Sequence, residues 1–308
     1  LAKSRAAACF VLPEDRGISL WEIAAKAAAG IDDVRLVVPL GEGRDGAPGW
    51  DEWLAAGDAV DEDALERRRK AVTAEDTSQI QFTSGTTGFP KGAELSHGGI
   101  VNDARLFAHR ATLRENGRHS NPMPYFHCGG CVMSTLGSVA TGSAQLPAIK
   151  FDAARINRTI EEEGATSVSV VPTMMIGLEE EVARSGRDLS SLEVVVTGGS
   201  PVPPEVMNRW IERYGVGINN TYGMTECSPV ICATVPDDPV DLQTTTVGPP
   251  LPHIEVEIVA AGTTEPVGIG EEGELRSRSA MVMKGYWDNP EETAAAIDPD
   301  GFMRSCDL

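Results

Sequence analysis

The chain has 308 residues, 41% apolar and 23% charged, enough for about two globular domains with a sizeable core. Its formal charge of −20 argues against a nucleic-acid partner or an anionic membrane surface, and no apolar run reaches the length of a membrane span. Six cysteines in a chain this long are not a disulfide framework and fit a reducing cytoplasm; Cys128 and Cys131 form one Cys-x-x-Cys with no second pair, so zinc is not expected.

Residues 1–75 form the first region, a partial N-terminal α/β segment. Ala6 to Leu12 and Val34 to Pro39 read as short core strands, Gly41 to Gly49 as a turn, and Trp50 to Ala56 and Asp61 to Val72 as peripheral helices. The chain opens on Leu1 rather than Met, so a missing natural N-terminus is expected.

Residues 76–235 form the second region. Gln79 to Phe82 alternates like the end of a strand and runs into Thr83-Ser84-Gly85-Thr86-Thr87-Gly88-Phe89-Pro90-Lys91-Gly92. Glycines permit positive φ and close approach of backbone N–H groups, which together form an anion-binding nest. The hydroxyls add donors and Lys91 adds a mobile cation, so the loop suits a polyphosphate. It is not a Walker A loop, because Pro90 stands where that motif has Gly. From the loop the chain is expected to run to Ser96, an N-cap for a helix through about Arg110. Helical spacing over Asp152 to Gly164, a strand at Ser167 to Val171, a helix at Met174 to Arg184, a strand at Leu192 to Thr197, a helix at Pro203 to Tyr214 and a strand at Gly217 to Thr221 predict a parallel sheet covered by helices, with ligands at the carboxyl ends of its strands. Tyr222 suits stacking on a purine, Thr225 can donate to a phosphate oxygen, and Glu226 is a hard oxygen ligand suited to Mg²⁺.

Residues 236–308 form the third region. Prolines 236, 239, 249, 250 and 252 read as linker, and His253 to Val259, Glu274 to Arg278 and Met281 to Met283 as short strands of a smaller, barrel-like β-rich subdomain. The expected fold class is therefore α/β, with mostly parallel sheets covered by helices and this subdomain appended.

The Thr83–Gly92 stretch and Asn220-Thr221-Tyr222-Gly223-Met224-Thr225-Glu226 closely resemble two signature motifs of the adenylate-forming superfamily: acyl-CoA synthetases, luciferases and peptide-synthetase adenylation domains. Weaker matches are Tyr125-Phe126-His127, Gly198-Gly199-Ser200-Pro201, and Asp300 to Asp307. The resemblance covers about residues 75–308. It implies ATP/AMP and Mg²⁺ as cofactors, CoA as co-substrate and a small carboxylic acid as substrate. It implies that Thr83, Ser84, Gly85, Thr86, Thr87, Gly88 and Lys91 hold the outer phosphates. Gly199, Ser200, Asn220, Thr221, Tyr222, Gly223 and Thr225 would hold the purine and α-phosphate, Asp307 the ribose, and Glu226 the metal. Lys91, Thr225, Glu226 and His127 would act in catalysis, His127 lining and gating the acid pocket. Amino-acid-activating members carry Asp where His127 stands, which favours a plain, fatty acid. Gly285-Tyr286-Trp287 and Pro290 to Thr293 match a structural passage and receive no chemistry.

Cys306 replaces a family Gly, with a steric cost if that position needs positive φ. The resemblance also implies a lysine-bearing C-terminal domain beyond Leu308, without which turnover should be poor. Two readings stay open: a piece of an acyl-CoA ligase, or an adenylate-binding module without turnover; a different acyl acceptor is the variant of the first.

Overall fold

A computed structural model describes residues 1–83 and 90–307. The chain divides into two compact units, Leu1–Thr73 and Ala74–Leu308. The expected boundary near 235 falls inside the second unit.

In the first unit, strands Ala8–Val11 and Leu36–Pro39 pair in parallel. Phe10 and Leu12 remain 44% and 47% exposed, so the first strand is less of a core strand than its apolar run implies. Helix Leu20–Ala28, not expected from the sequence, starts at Ser19, whose hydroxyl accepts from the Glu22 N–H. Helices Trp50–Ala55 and Glu62–Ala71 follow. Phe10, Trp50 and Trp53 cluster, the two indoles stacked at 5.5 Å.

The second unit is organised by a six-stranded sheet. Its spatial order is Val230–Ala233, Gly217–Gly223, Val194–Gly198, Ser167–Val170, Arg118–Asn121, Ala144–Pro147. All neighbours are parallel except the first edge strand. The two-residue period sorts the side chains: Val194 and Val196 enter one core and Val195 the other. Helices Ala153–Glu163, Pro172–Ser185 and Pro204–Tyr214 cover one face, burying Ile156, Ile160, Met175, Leu178, Met207 and Trp210. Each such side chain stabilises by about 1.5–3 kcal/mol. Helix His97–Arg110 covers the other face, capped by the Ser96 hydroxyl accepting from Gly99 N–H.

The phosphate-loop segment does not end a strand of this sheet. It joins strands Thr77–Thr83 and Lys91–Ser96, an antiparallel hairpin whose second strand also pairs with Gly285–Tyr286. The strand Lys91–Ser96 is absent from the sequence reading because Lys, Gly, Ala and Glu have low strand propensity; cross-strand pairing and burial of Ala93 and Leu95 override it. A third, open sheet joins Glu255–Val259, Glu274–Arg278 and Met303–Arg304, all antiparallel. Among the described residues it does not close into a barrel. Met281 to Met283 is a buried turn rather than a strand, and the 253–259 strand starts at Glu255 because His253 sits at φ 68°.

Candidate functional site

Three contiguous cavities lie in the second unit. The first, about 340 Å³, is apolar and opens at the carboxyl ends of strands Ser167–Val170, Val194–Gly198 and Gly217–Gly223; Met123, Phe126, Met133, Val170, Met174 and Val196 are among its walls. The second, about 500 Å³, follows Tyr222 to Glu226. The third, about 630 Å³, runs from Thr83 and Lys91 to Ser305 and Cys306. His127, Gly129, Met133, Gly199 and Thr221 line both the first and second. Thr83, Met224 and Glu226 line both the second and third. The order is thus apolar chamber, junction, polar cleft.

His127 reaches the junction from a tight entry into a π-helix, Gly129–Leu136. The register is locked by Ser134 and Thr135 hydroxyls donating to the carbonyls of Gly129 and Gly130. Gly130 is required there, since a Cβ would lie 2.2 Å from the Pro124 carbonyl oxygen. His127 Nδ1 accepts the Gly129 N–H at 3.0 Å, which leaves the ring proton on Nε2. Partial burial lowers its pKa, so it is a neutral donor at neutral pH. Thr225 Oγ1 is 3.6 Å from Cys128 Sγ, a thiol that burial pushes up to about 12 and so keeps protonated.

Glu226 is only 6% exposed and accepts a 2.8 Å hydrogen bond from the Tyr286 hydroxyl. Burial, then this carboxylate, raise the Tyr286 phenol far above its usual pKa. Lys91 Nζ sits 5.1 Å from the same ring centroid and 2.6 Å from Glu292 Oε2. Tyr222 donates to Asp307 Oδ2 at 2.6 Å, and burial followed by this bond raises its pKa as well. Cys306 holds φ 61° beside it, its N–H on Glu274 Oε1 at 3.3 Å. A non-glycine residue there carries roughly 1–2 kcal/mol of strain.

Thr83, Lys91, His127, Gly199, Thr221, Tyr222, Gly223, Thr225 and Glu226 therefore border one crevice, with Asp307 on Tyr222. Ser200 is exposed and lines none of the three cavities. Asn220 faces away, its amide donating to the Thr246 carbonyl at 2.8 Å. Ser84, Gly85, Thr86, Thr87 and Gly88 lie outside the described residues. Tyr286 and Glu292, assigned no chemistry from the sequence, stand in the cleft; a ring and a carboxylate flanking the phosphate-loop lysine give no local signal 201 residues away.

Magnesium commonly binds through one or two carboxylates plus substrate phosphates, so a lone, cleft-facing Glu226 fits it. Among the described residues no cluster of three or more His, Cys, Asp or Glu could hold a metal by itself.

An apolar chamber thus meets the second cavity at a neutral histidine. The chain belongs to the AMP-binding enzyme family, whose model matches residues 1–287. It is 40% identical over 260 residues to the Bacillus subtilis (strain 168) protein named "Putative acyl-CoA synthetase YngI", covering 84% of this chain and 47% of that one. It is 36% identical over 263 residues to the medium-chain acyl-CoA ligase ACSF2, mitochondrial, of Danio rerio, covering 83% and 43%. The amide bond synthetase McbA from Marinactinospora thermotolerans superposes with a TM-score of 0.75 at 29% identity, over 97% of this chain and 56% of that one. The anthranilate CoA ligase AuaEII with anthranoyl-AMP shares the fold, TM-score 0.83 at 23% identity, over 98% and 59%. The chain spans about half the length of the curated relatives it matches. Among the described residues, no helix is long and apolar enough to cross a membrane.

Proposed function

We propose that this chain carries the acid and nucleotide sites of an ATP-dependent acid–thiol ligase. The observation that carries the reading is the junction: His127, Gly199 and Thr221 border both the apolar chamber and the second cavity, which shares Thr83, Met224 and Glu226 with the polar cleft. The acid's hydrocarbon enters the chamber and its carboxylate stops at the junction, where the neutral His127 Nε2–H donates to it. A carboxylate oxygen attacks the α-phosphorus of ATP and pyrophosphate leaves, giving an acyl-adenylate. Thr225 donates to the α-phosphate, Tyr222 packs on the purine and Asp307 accepts the ribose hydroxyls. Lys91 exchanges Glu292 for an outer phosphate, a swap of one anion for a more highly charged one. Magnesium held by Glu226 would neutralise developing phosphate charge. The CoA thiolate then attacks the acyl carbon and AMP leaves.

The chamber, about 340 Å³, is at the low end for small-molecule sites and supports an acid of short to medium length, as does the name of the Danio rerio relative. A second reading, transfer to an amine, is favoured by the name of the solved relative at 29% identity. A third, adenylate binding without turnover, draws on the strain at Cys306. The six unpaired cysteines support a reducing compartment such as the cytoplasm. The test is acid-dependent pyrophosphate release, followed by thioester or amide formation, from this chain and from the protein at full length. Release without either product supports the adenylating step alone; no release with any acid supports the third reading.

A further inference from the structure

Beneath the apolar chamber lies a buried polar group that the proposed chemistry does not use. His119 is fully buried in strand Arg118–Asn121, and its two ring nitrogens meet two serines of the neighbouring strand. Nδ1 is 2.8 Å from Ser167 Oγ and Nε2 is 3.1 Å from Ser169 Oγ. Burial pushes the imidazole pKa down to about 4, so the ring is neutral and carries one N–H and one lone pair.

The donors can be counted. Two hydroxyls and one N–H supply three protons, and the two contacts use two of them. With the ring proton on Nε2, the Ser167 hydroxyl donates to Nδ1 and Ser169 Oγ accepts from Nε2–H, so Ser169 keeps a proton without a partner among the described residues. Ser169 lines the apolar chamber, whereas Ser167 does not. A second hydroxyl, Thr197 Oγ1, has no partner among the described residues although Thr197 is 1% exposed and lines the same chamber. Leaving buried donors unpaired is costly, and native interiors rarely do so. An acid with a bare hydrocarbon chain would bury both.

We infer that Ser169, positioned by His119, forms a polar subsite in the acid chamber, and that the substrate is a carboxylic acid whose chain carries an oxygen acceptor such as an oxo or hydroxyl group. The inference rests on the proposed acid-activating function and narrows its substrate. Ser169 would touch the substrate and so set specificity; His119 would only orient it.

The experiment uses the full-length protein and acid-dependent pyrophosphate exchange. Matched medium-length acids are compared with and without one oxo or hydroxyl group at successive positions. For at least one position the oxygen-bearing acid should have a kcat/KM about tenfold higher or more, as a hydrogen-bonding pocket discriminates against a partner lacking the group. Ser169→Ala should bring that ratio close to one. Ser167→Ala disturbs the same buried network but keeps the chamber hydroxyl, so the preference should persist. Plain acids equal to or better than every oxygen-bearing partner would overturn the inference and leave the acid-activating reading intact. Loss of the preference in both variants alike would also overturn it, showing a purely structural network. Absence of exchange with every acid would instead fail the functional reading itself.

Discussion

The apolar chamber and the polar cleft belong to one compact unit, yet they are built from different parts. The chamber takes its walls from the carboxyl ends of three parallel strands and from the π-helix that carries Met133. Its surroundings are two close-packed cores, so its shape is set by residues that also hold the fold together. The cleft is assembled from chain ends and crossings: the hairpin at Thr83 and Lys91, the Tyr222 to Glu226 turn, Tyr286, Glu292, and Ser305 with Cys306. Its polar groups are already paired to one another, Lys91 with Glu292, Tyr286 with Glu226 and Tyr222 with Asp307. The chamber is thus preshaped, whereas the cleft is precharged and must exchange partners when a ligand arrives.

The largest effect should come from the cleft's buried carboxylate. Glu226→Gln keeps an acceptor for Tyr286 but removes the charge, and adenylation should fall about 10²–10³-fold with an altered magnesium dependence. An unchanged rate and metal profile in pyrophosphate exchange would move the metal away from Glu226.

The chamber side should show its coupling to stability. An unfolded imidazole titrates near 6.5 and folded His119 near 4. Between these values the unfolded chain binds more protons, so the stability present above pH 6.5 is lost as pH falls toward 4, by about 3 kcal/mol. His119→Gln should abolish this increment. Asp103, whose pKa burial raises, is common to both proteins and drops out of the difference. Parallel denaturation midpoints for the two proteins from pH 4 to 7 would contradict a neutral, buried His119.

Partner exchange in the cleft is sharpened by Lys91→Ala. ATP affinity should fall about tenfold, and AMP affinity much less, because only ATP offers outer phosphates to the lysine. Equal losses by calorimetry would leave Lys91 outside the phosphate site. The smallest effect concerns backbone strain: Cys306→Gly relieves a left-handed φ and should stabilise by about 1 kcal/mol, read as a higher denaturation midpoint. A lower midpoint would mean that the thiol's own packing outweighs the strain.

The same contrast explains what the sequence disclosed. The cleft is legible where chemistry demands several special residues in one short run, as in Thr221 to Glu226, and illegible where a partner comes from afar, as Glu292 does. The parallel sheet was legible from alternating apolar runs such as Leu192 to Thr197, down to the helix that Ser96 caps. Strands Arg118–Asn121 and Ala144–Pro147 were not, because Arg, His, Ser and Asn read as a turn until tertiary pairing is known. The chamber was nearly silent: His127 marked its mouth, but Met123, Met174 and Ser169 meet only through the fold. Thr83 and Lys91 pair across an antiparallel hairpin, so the second flank of the Thr83–Gly92 stretch is a strand that its residue types do not announce.

The most direct test of the account is a crystal structure of this chain with a non-hydrolysable acyl-sulfamoyladenosine. The account predicts the acyl chain in the apolar chamber, the sulfamoyl group between His127, Gly199 and Thr221, the purine against Tyr222 and the ribose hydroxyls on Asp307. An acyl chain lying in the Lys91–Glu292 cleft, or an adenosine bound outside the second unit, would contradict it.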